Sequence, residues 1–348
     1  MQTCMLMSLK DKTYNHKDMG SNQVISLSFA RRRGILVTGS HRSGSTWLGK
    51  MIALSPEVGY IHEPLNPISN RPGKFRLNLK NWYQYVEDLP ADKAYQSYKQ
   101  TLSFSYSISD ELNYIKNWRD IARMVRDFSS FKWCSLTGKR PLLKDPFALF
   151  SVDWLSERFD LFVIILIRHP AAFVSSLKKA NWHFPFDNLL VQDNLINTRL
   201  YKFSASIKDA AENDLDIVEQ GILLWNIIHD TIYNYWKLFG HSESWIFLRH
   251  EDVSASPEEE YGWIYNRLGL KYTKKIKEGI RDYSTSDNYS TSDNPTDMSK
   301  ARGKQQRIKR DSKANRMAWK NQLTEKEIEK IKSETHHISS CFYSDNEW

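Results

Sequence analysis

The chain has 348 residues, 41% of them hydrophobic and 13% aromatic, and 49 Lys and Arg against 41 Asp and Glu leave a formal net charge of +8. That size and apolar content support one large domain or two small ones, and a chain this rich in Trp and Tyr is not a basic disordered arm; its positive balance favours an anionic ligand. Cys4, Cys134 and Cys341 show neither metal spacing nor a paired framework, which favours a reducing, cytoplasmic setting, and no stretch approaches the ~20 apolar residues of a bilayer span.

Residues 1–30 are expected to be a loose leader, because the apolar run in MQTCMLMSLKDK is too short for a signal-peptide core. From residue 31 to 348 the pattern reads as a single domain. Arg31, Arg32 and Arg33 precede Ile35, Leu36 and Val37, an aliphatic run suited to a buried parallel strand. A loop, Gly39 to Gly44, follows, and then a helix from Ser45 to Leu54. Strand, glycine-bounded loop and helix make a phosphate cradle: glycine allows the tight turn, and the unpaired N–H groups at the helix start attract an anion. An ordinary turn with helix-capping serines is the plainer reading of the same residues.

The spacing is close to the P-loop G-x-x-x-x-G-K-[ST], but Ser45 stands where a nucleoside triphosphatase has its lysine, and the cation has moved back to Arg42. HRSGSTWL resembles the 5′-phosphosulfate loop of sulfotransferases that use 3′-phosphoadenosine-5′-phosphosulfate (PAPS), whose loops read [K/R]-S-G-[ST]-[ST]-W or close variants. The arginine version is similar to the carbohydrate-directed branch. The resemblance implies that Arg42, Ser43, Gly44, Ser45 and Thr46 hold the phosphosulfate and that Trp47 lies near the adenine; as a plain helix residue, Trp47 would pack into the core.

Further along, Val58 to His62 reads as a second strand ending at Glu63, Pro64 and Leu65. In a doubly wound sheet ligands bind at the carboxyl ends of strands, so Glu63 shares an edge with the loop and is a candidate general base; the E-P-L segment is similar to the base-bearing segment of carbohydrate sulfotransferases. The alternative is a strand-end carboxylate paired with a neighbouring arginine. Residues 66–130 read as an inserted, mostly helical region on the acceptor side. Its aromatic side chains suit either core packing or stacking on an acceptor. Pro141 to Leu143 forms a short strand ending in Lys144, Asp145 and Pro146, which puts Lys144 on the same edge as a substrate-side cation.

Leu161 to Ile167 is apolar on both faces, as a central parallel strand requires. Arg168, His169 and Pro170 end it, a helix runs from Ala171 to Ala180, and Ser176 lies eight residues after Arg168. A guanidinium fork and a hydroxyl can clamp a phosphate from two sides, and R-x-P with this serine resembles the sulfotransferase 3′-phosphate motif. His183 is a further substrate-side candidate. Trp245 to Leu248 reads as the last strand, ending in Arg249; Ser256 with Glu259 and Thr324 with Glu327 read as capping boxes. Residues 282–318 are polar and repeat YSTSDN, a flexible loop by composition. The resemblance implies a basic loop over the 3′-phosphate just before Trp319 and Lys320, with Arg310, Ser312 and Lys313 as the candidates.

The expected fold is therefore α/β, three layers about a central parallel sheet, with a P-loop-like phosphate-binding loop. The expected function is metal-independent sulfuryl transfer from PAPS to a hydroxyl of a carbohydrate-like or other small-molecule or glycan acceptor. A P-loop kinase or NTPase is the alternative, and a non-catalytic nucleic-acid binder is a weaker one.

Overall fold

Five short aliphatic runs pair in parallel, in the order β2-β3-β1-β4-β5. They are β1 (Ile35–Gly39), β2 (Val58–His62), β3 (Arg140–Lys144), β4 (Phe162–Ile167) and β5 (Trp245–Arg249). The computed structural model describes residues 33–284 and 317–348. The expected leader, residues 1–30, with Arg31 and Arg32, and residues 285–316 of the expected flexible loop lie outside the described residues. The principal helices are α1 (Ser45–Ile52), α2 (Ala91–Leu102), α3 (Ile108–Leu112), α4 (Trp118–Leu136), α5 (Val152–Phe159), α6 (Pro170–Ala180), α7 (Ile217–Phe239), α8 (His250–Ala255), α9 (Pro257–Arg267), α10 (Lys274–Ser284) and α11 (Glu325–Ser339).

The sheet is covered on both faces, and the strand sequences show why. Side chains alternate across a strand, yet β4 is buried at all six positions. Val163, Ile165 and Ile167 join Leu36 in one core with α6 and α7, while Phe162, Ile164 and Leu166 join Ile35 and Val37 in a second with α1 and α9. These are the three expected layers. Gly39 closes β1 at φ 140°, and a Cβ there would lie 2.2 Å from the Leu166 carbonyl oxygen, so only glycine lets the chain leave the sheet at this point.

Three local expectations change. Residues 66–90 hold no helix beyond the single turn Val86–Asp88, and α4 runs past residue 130 to Leu136; Pro67, Pro72, Gly73 and Pro90 interrupt the first part of the insert. The first helix stops at Ile52, and Leu54 closes it through a tighter bond to the Met51 carbonyl at 3.3 Å. Ser256 makes no side-chain cap: Pro257 at the first helical position starts α9 instead. The Thr324–Glu327 capping box is present in both directions, at 3.3 and 2.8 Å.

Candidate active site

Because all five strands are parallel, their carboxyl ends form one edge, carrying in order Glu63, Lys144, Gly39, Arg168 and Arg249. The loop after β1 lies at the centre of this edge. Within it the Ser43 N–H donates to the Ser40 carbonyl at 3.1 Å. Arg42 takes the left-handed backbone at φ 63° and Gly44 at φ 96°. Non-glycine residues held there cost on the order of 1–3 kcal/mol and cluster at functional sites. Gly44 is the N-cap of α1, and no side chain caps that helix. The first-turn N–H groups therefore have no intrahelical or side-chain acceptor among the described residues. The hydroxyls of Ser40 and Ser43 are buried without a hydrogen-bond partner among the described residues. Ser45 is buried and Thr46 half-buried in the first turn. Buried polar groups are ordinarily paired, so serines that cap nothing fit an anion cradle better than an ordinary turn.

Residues far apart in the chain meet at this loop. Arg42 Nε donates to Ser176 Oγ at 2.9 Å, and Arg168 Nη1 donates to the Arg42 carbonyl. The end of β4 is fixed in turn: the Trp225 indole donates to the Arg168 carbonyl at 2.9 Å, and the His169 N–H donates to Glu251 at 3.1 Å. The expected 5′-loop and the expected 3′-clamp are thus one hydrogen-bonded unit.

On the β2 and β3 side, Lys144 is fully buried and its ammonium donates to Glu63. Asn66 donates to the other Glu63 oxygen at 2.9 Å, and His62 Nε2 lies 4.0 Å from it. Burial, the largest single influence, pushes the Glu63 carboxyl up, but the Lys144 and His62 charges together with the hydrogen bonds from Lys144 and Asn66 hold it below the usual carboxylate range. Burial likewise depresses the Lys144 ammonium, against the pull of Glu63. Next to this pair, Asp145 accepts the N–H groups of Leu65 at 2.6 Å and Phe147 at 2.9 Å; burial and then Glu63 push its carboxyl up to about 8. Glu63, like Arg42, has a left-handed backbone, with φ 41°.

His41, beside Arg42, is left unassigned in the sequence reading. Its ring is buried, with Trp182 4.5 Å away and Tyr83, Phe147, Phe173 and Phe184 around it. Burial, then Arg42, lowers its pKa to about 3, so the ring is neutral. The Tyr83 hydroxyl accepts the His41 backbone N–H at 3.3 Å and lies 2.7 Å from Nδ1. The other ring nitrogen, Nε2, is buried without a hydrogen-bond partner among the described residues. The only signal in the sequence is an imidazole between Gly39 and Gly44.

The remaining candidates divide. Trp47 packs edge-on against His250 at 5.9 Å and Tyr261 at 5.4 Å, on the α1 side of the sheet. His250 lies against Gly44, where a Cβ would come within 2.6 Å of its Nδ1. His183 is exposed, between Trp182 and Phe184, both of which contact His41. Arg249 is engaged inward by Asp252, Glu347 and the Phe342 carbonyl, which makes it a structural strand end. Arg310, Ser312 and Lys313 lie outside the described residues.

The sequence profile described as "Sulfotransferase family" matches residues 34–274, more than half of the chain. The chain belongs to the sulfotransferase family. Similar solved structures include the sulfotransferase domain of the curacin biosynthetic pathway (16% identity, 88% of this chain and 98% of that one, TM-score 0.42). Another is the sulfotransferase domain of the Synechococcus PCC 7002 olefin synthase (16% identity, 90% and 94%, TM-score 0.45). A third is mouse sulfotransferase SULT7A1 complexed with PAP (13% identity, 94% and 92%, TM-score 0.40). No curated protein matches the chain significantly.

Proposed function

We propose that this chain, as one catalytic domain over residues 31–348, transfers the sulfuryl group of PAPS to a hydroxyl of a carbohydrate-like or other small metabolite. The observation that carries the reading is the joined cradle: an uncapped helix start, buried hydroxyls without partners among the described residues, and Arg42 bonded to both Ser176 and Arg168. Two anion sites bridged by one arginine suit a ligand with phosphate groups at two places. A triphosphate site would need a lysine where Ser45 stands. In this reading Ser43 to Thr46 bind the 5′ end, Arg168 and Ser176 hold the 3′-phosphate, and Trp47 flanks the base. Arg310, Ser312 and Lys313 are the proposed closing residues. The spacing of Cys4, Cys134 and Cys341, which gives neither a metal pattern nor a paired framework, suits a reducing, cytoplasmic location, and no helix among the described residues is long and apolar enough to cross a membrane.

The acceptor oxygen would attack sulfur as the bond from sulfur to the bridging phosphate oxygen breaks, and the hydroxyl proton would pass to Glu63. Lys144 keeps that carboxylate ionised and ready to receive it. Charge on the sulfuryl oxygens would be met by backbone N–H groups and Arg42, which requires no metal.

The deciding experiment is a thermal shift, since a ligand that binds only the native state raises its apparent stability. 3′-Phosphoadenosine-5′-phosphate should raise the melting temperature far more than ATP or 5′-AMP, and equal shifts would remove the two-phosphate argument. Labelled PAPS offered with panels of hydroxylated metabolites and glycans then identifies the acceptor.

A further inference from the structure

Helix α4 is amphipathic in the wrong sense for a helix whose outer face meets only water. Its inward face buries Phe131 and Cys134; Cys134 lies with Phe104 against Gly59 of the edge strand β2, and Phe131 packs edge-on against Phe104. Its outward face carries a second apolar stripe. Trp118 is 70% exposed, Trp133 62% and Leu136 71%, with Ile121 and Val125 also exposed between them. Trp118 and Leu136 are five helical turns apart, so the stripe runs straight along the helix for roughly 27 Å, broken by Ser129. Surface helices of monomers turn polar residues outward, and an exposed apolar patch of this extent marks an interaction surface.

The charges around the stripe identify the partner. All four acids of residues 105–139 are engaged by neighbours. Asp110 pairs with Arg76 at 3.3 Å, and buried Glu111 accepts the Gly73 N–H at 3.0 Å. Asp120 pairs with Arg71 and Arg123, and buried Asp127 with Lys74 at 2.7 Å. The exposed charges flanking the stripe are then Lys116, Arg119, Arg126 and Lys132, all cationic, although Arg126 also touches Asp127. The Arg119 guanidinium lies over the Trp118 ring at 5.6 Å. A straight apolar stripe with tryptophan near both ends and cations alone at its rim has the form of a helix that lies in a lipid interface. Two copies of the chain pressed together through this face would oppose cation to cation, which disfavours self-association.

We propose that α4 docks the protein peripherally onto an anionic phospholipid surface, with Trp118, Trp133 and Leu136 in the headgroup boundary and Lys116, Arg119 and Lys132 on the lipid phosphates. The inference is independent of the acceptor and of the sulfuryl-transfer reading.

The test is co-sedimentation of the full chain with phosphatidylglycerol–phosphatidylcholine vesicles and with pure phosphatidylcholine vesicles, at low and high salt. The wild type should pellet with the anionic vesicles, and about tenfold more weakly without the anionic lipid or in high salt. Trp118→Ser combined with Trp133→Ser should lower binding by about tenfold or more. Lys116→Gln, Arg119→Gln and Lys132→Gln together should abolish the preference for anionic lipid. All of these positions are exposed, so circular-dichroism melting should match the wild type and exclude misfolding. Failure of the wild type to pellet, or pelleting of the tryptophan variant at the wild-type level, overturns the proposal. So does a wild-type dimer in sedimentation velocity that the tryptophan variant dissolves, since the face would then belong to a second copy.

Discussion

On β1, β4 and α6 the buried hydroxyls of Ser40 and Ser43 and the Nε2 of His41 have no partner among the described residues, and the α1 N-terminus is uncapped. On β2 and β3, a few residues along the same edge, Lys144, Glu63, Asn66 and Asp145 are bonded to one another or to the backbone. The first region leaves polar capacity to spare; the second has used its own. A preformed cradle with spare donors binds an anion without first breaking internal bonds, which is how preorganisation favours affinity. A carboxylate held by a buried lysine is instead fixed in place and ionised, which suits a group that must be positioned for proton transfer. The donor half is therefore expected to govern binding and the acceptor half turnover and stability.

The largest test of this division is Glu63→Gln. It should leave 3′-phosphoadenosine-5′-phosphate affinity near normal while turnover falls ~10²–10⁴-fold, the usual contribution of a positioned base. Full turnover of this variant on the identified acceptor would end the base assignment. Lys144→Ala leaves the Glu63 carboxylate largely buried without its ion partner and should lower the unfolding free energy by about 3 kcal/mol, the lower end for breaking a buried pair, read from the urea midpoint. An unchanged midpoint would mean that the pair is not closed in solution.

On the donor half the expectation is reversed. Arg168→Ala should lose on the order of 2–5 kcal/mol of 3′-phosphoadenosine-5′-phosphate affinity by calorimetry with little change in fold stability. Ser176→Ala should lose about 1 kcal/mol, as for an ordinary hydrogen bond. Equal affinities in both variants and the wild type would dissolve the clamp.

The smallest effect separates two imidazoles. Burial first, then Arg42, holds His41 at about 3; burial first, then Lys144, holds His62 at about 4. Both folded values lie below the ordinary 6.5, so the unfolded chain binds more protons in that window. Their stabilisation is complete above pH 6.5 and declines as pH falls toward 4 and then 3. Neither ring should titrate between pH 8 and 5 by NMR, and Lys144→Met should raise the His62 midpoint while leaving that of His41 in place. A joint shift would show that the two halves are electrically one site.

The strand at Ile35–Val37, the glycine-bounded loop, the strand before Arg168 and the helical position of Ser176 were all legible in the sequence. Each is a local signal: an aliphatic run, a turn residue, or a spacing within one element. The Glu63 reading was open between a base and a carboxylate paired with an arginine, and its partner is instead Lys144, itself picked out only as a strand-end cation. Nothing in the sequence pointed to the pairing of His41 with Tyr83. The insert was misread where prolines break it, because its aromatic residues follow a buried, irregular path with no helical period.

By itself, then, the sequence determined the parallel sheet and which residues end its strands, since strand and helix periodicity depend on neighbours a few positions away. Only the tertiary structure decided which of those ends act together. The Arg42–Ser176, Glu63–Lys144 and His41–Tyr83 bonds join residues 134, 81 and 42 positions apart. The strand order β2-β3-β1-β4-β5 brings their elements side by side. No local pattern encodes such contacts, because they exist only once the sheet has been assembled and the loops at its carboxyl edge compete for the same few donors and acceptors.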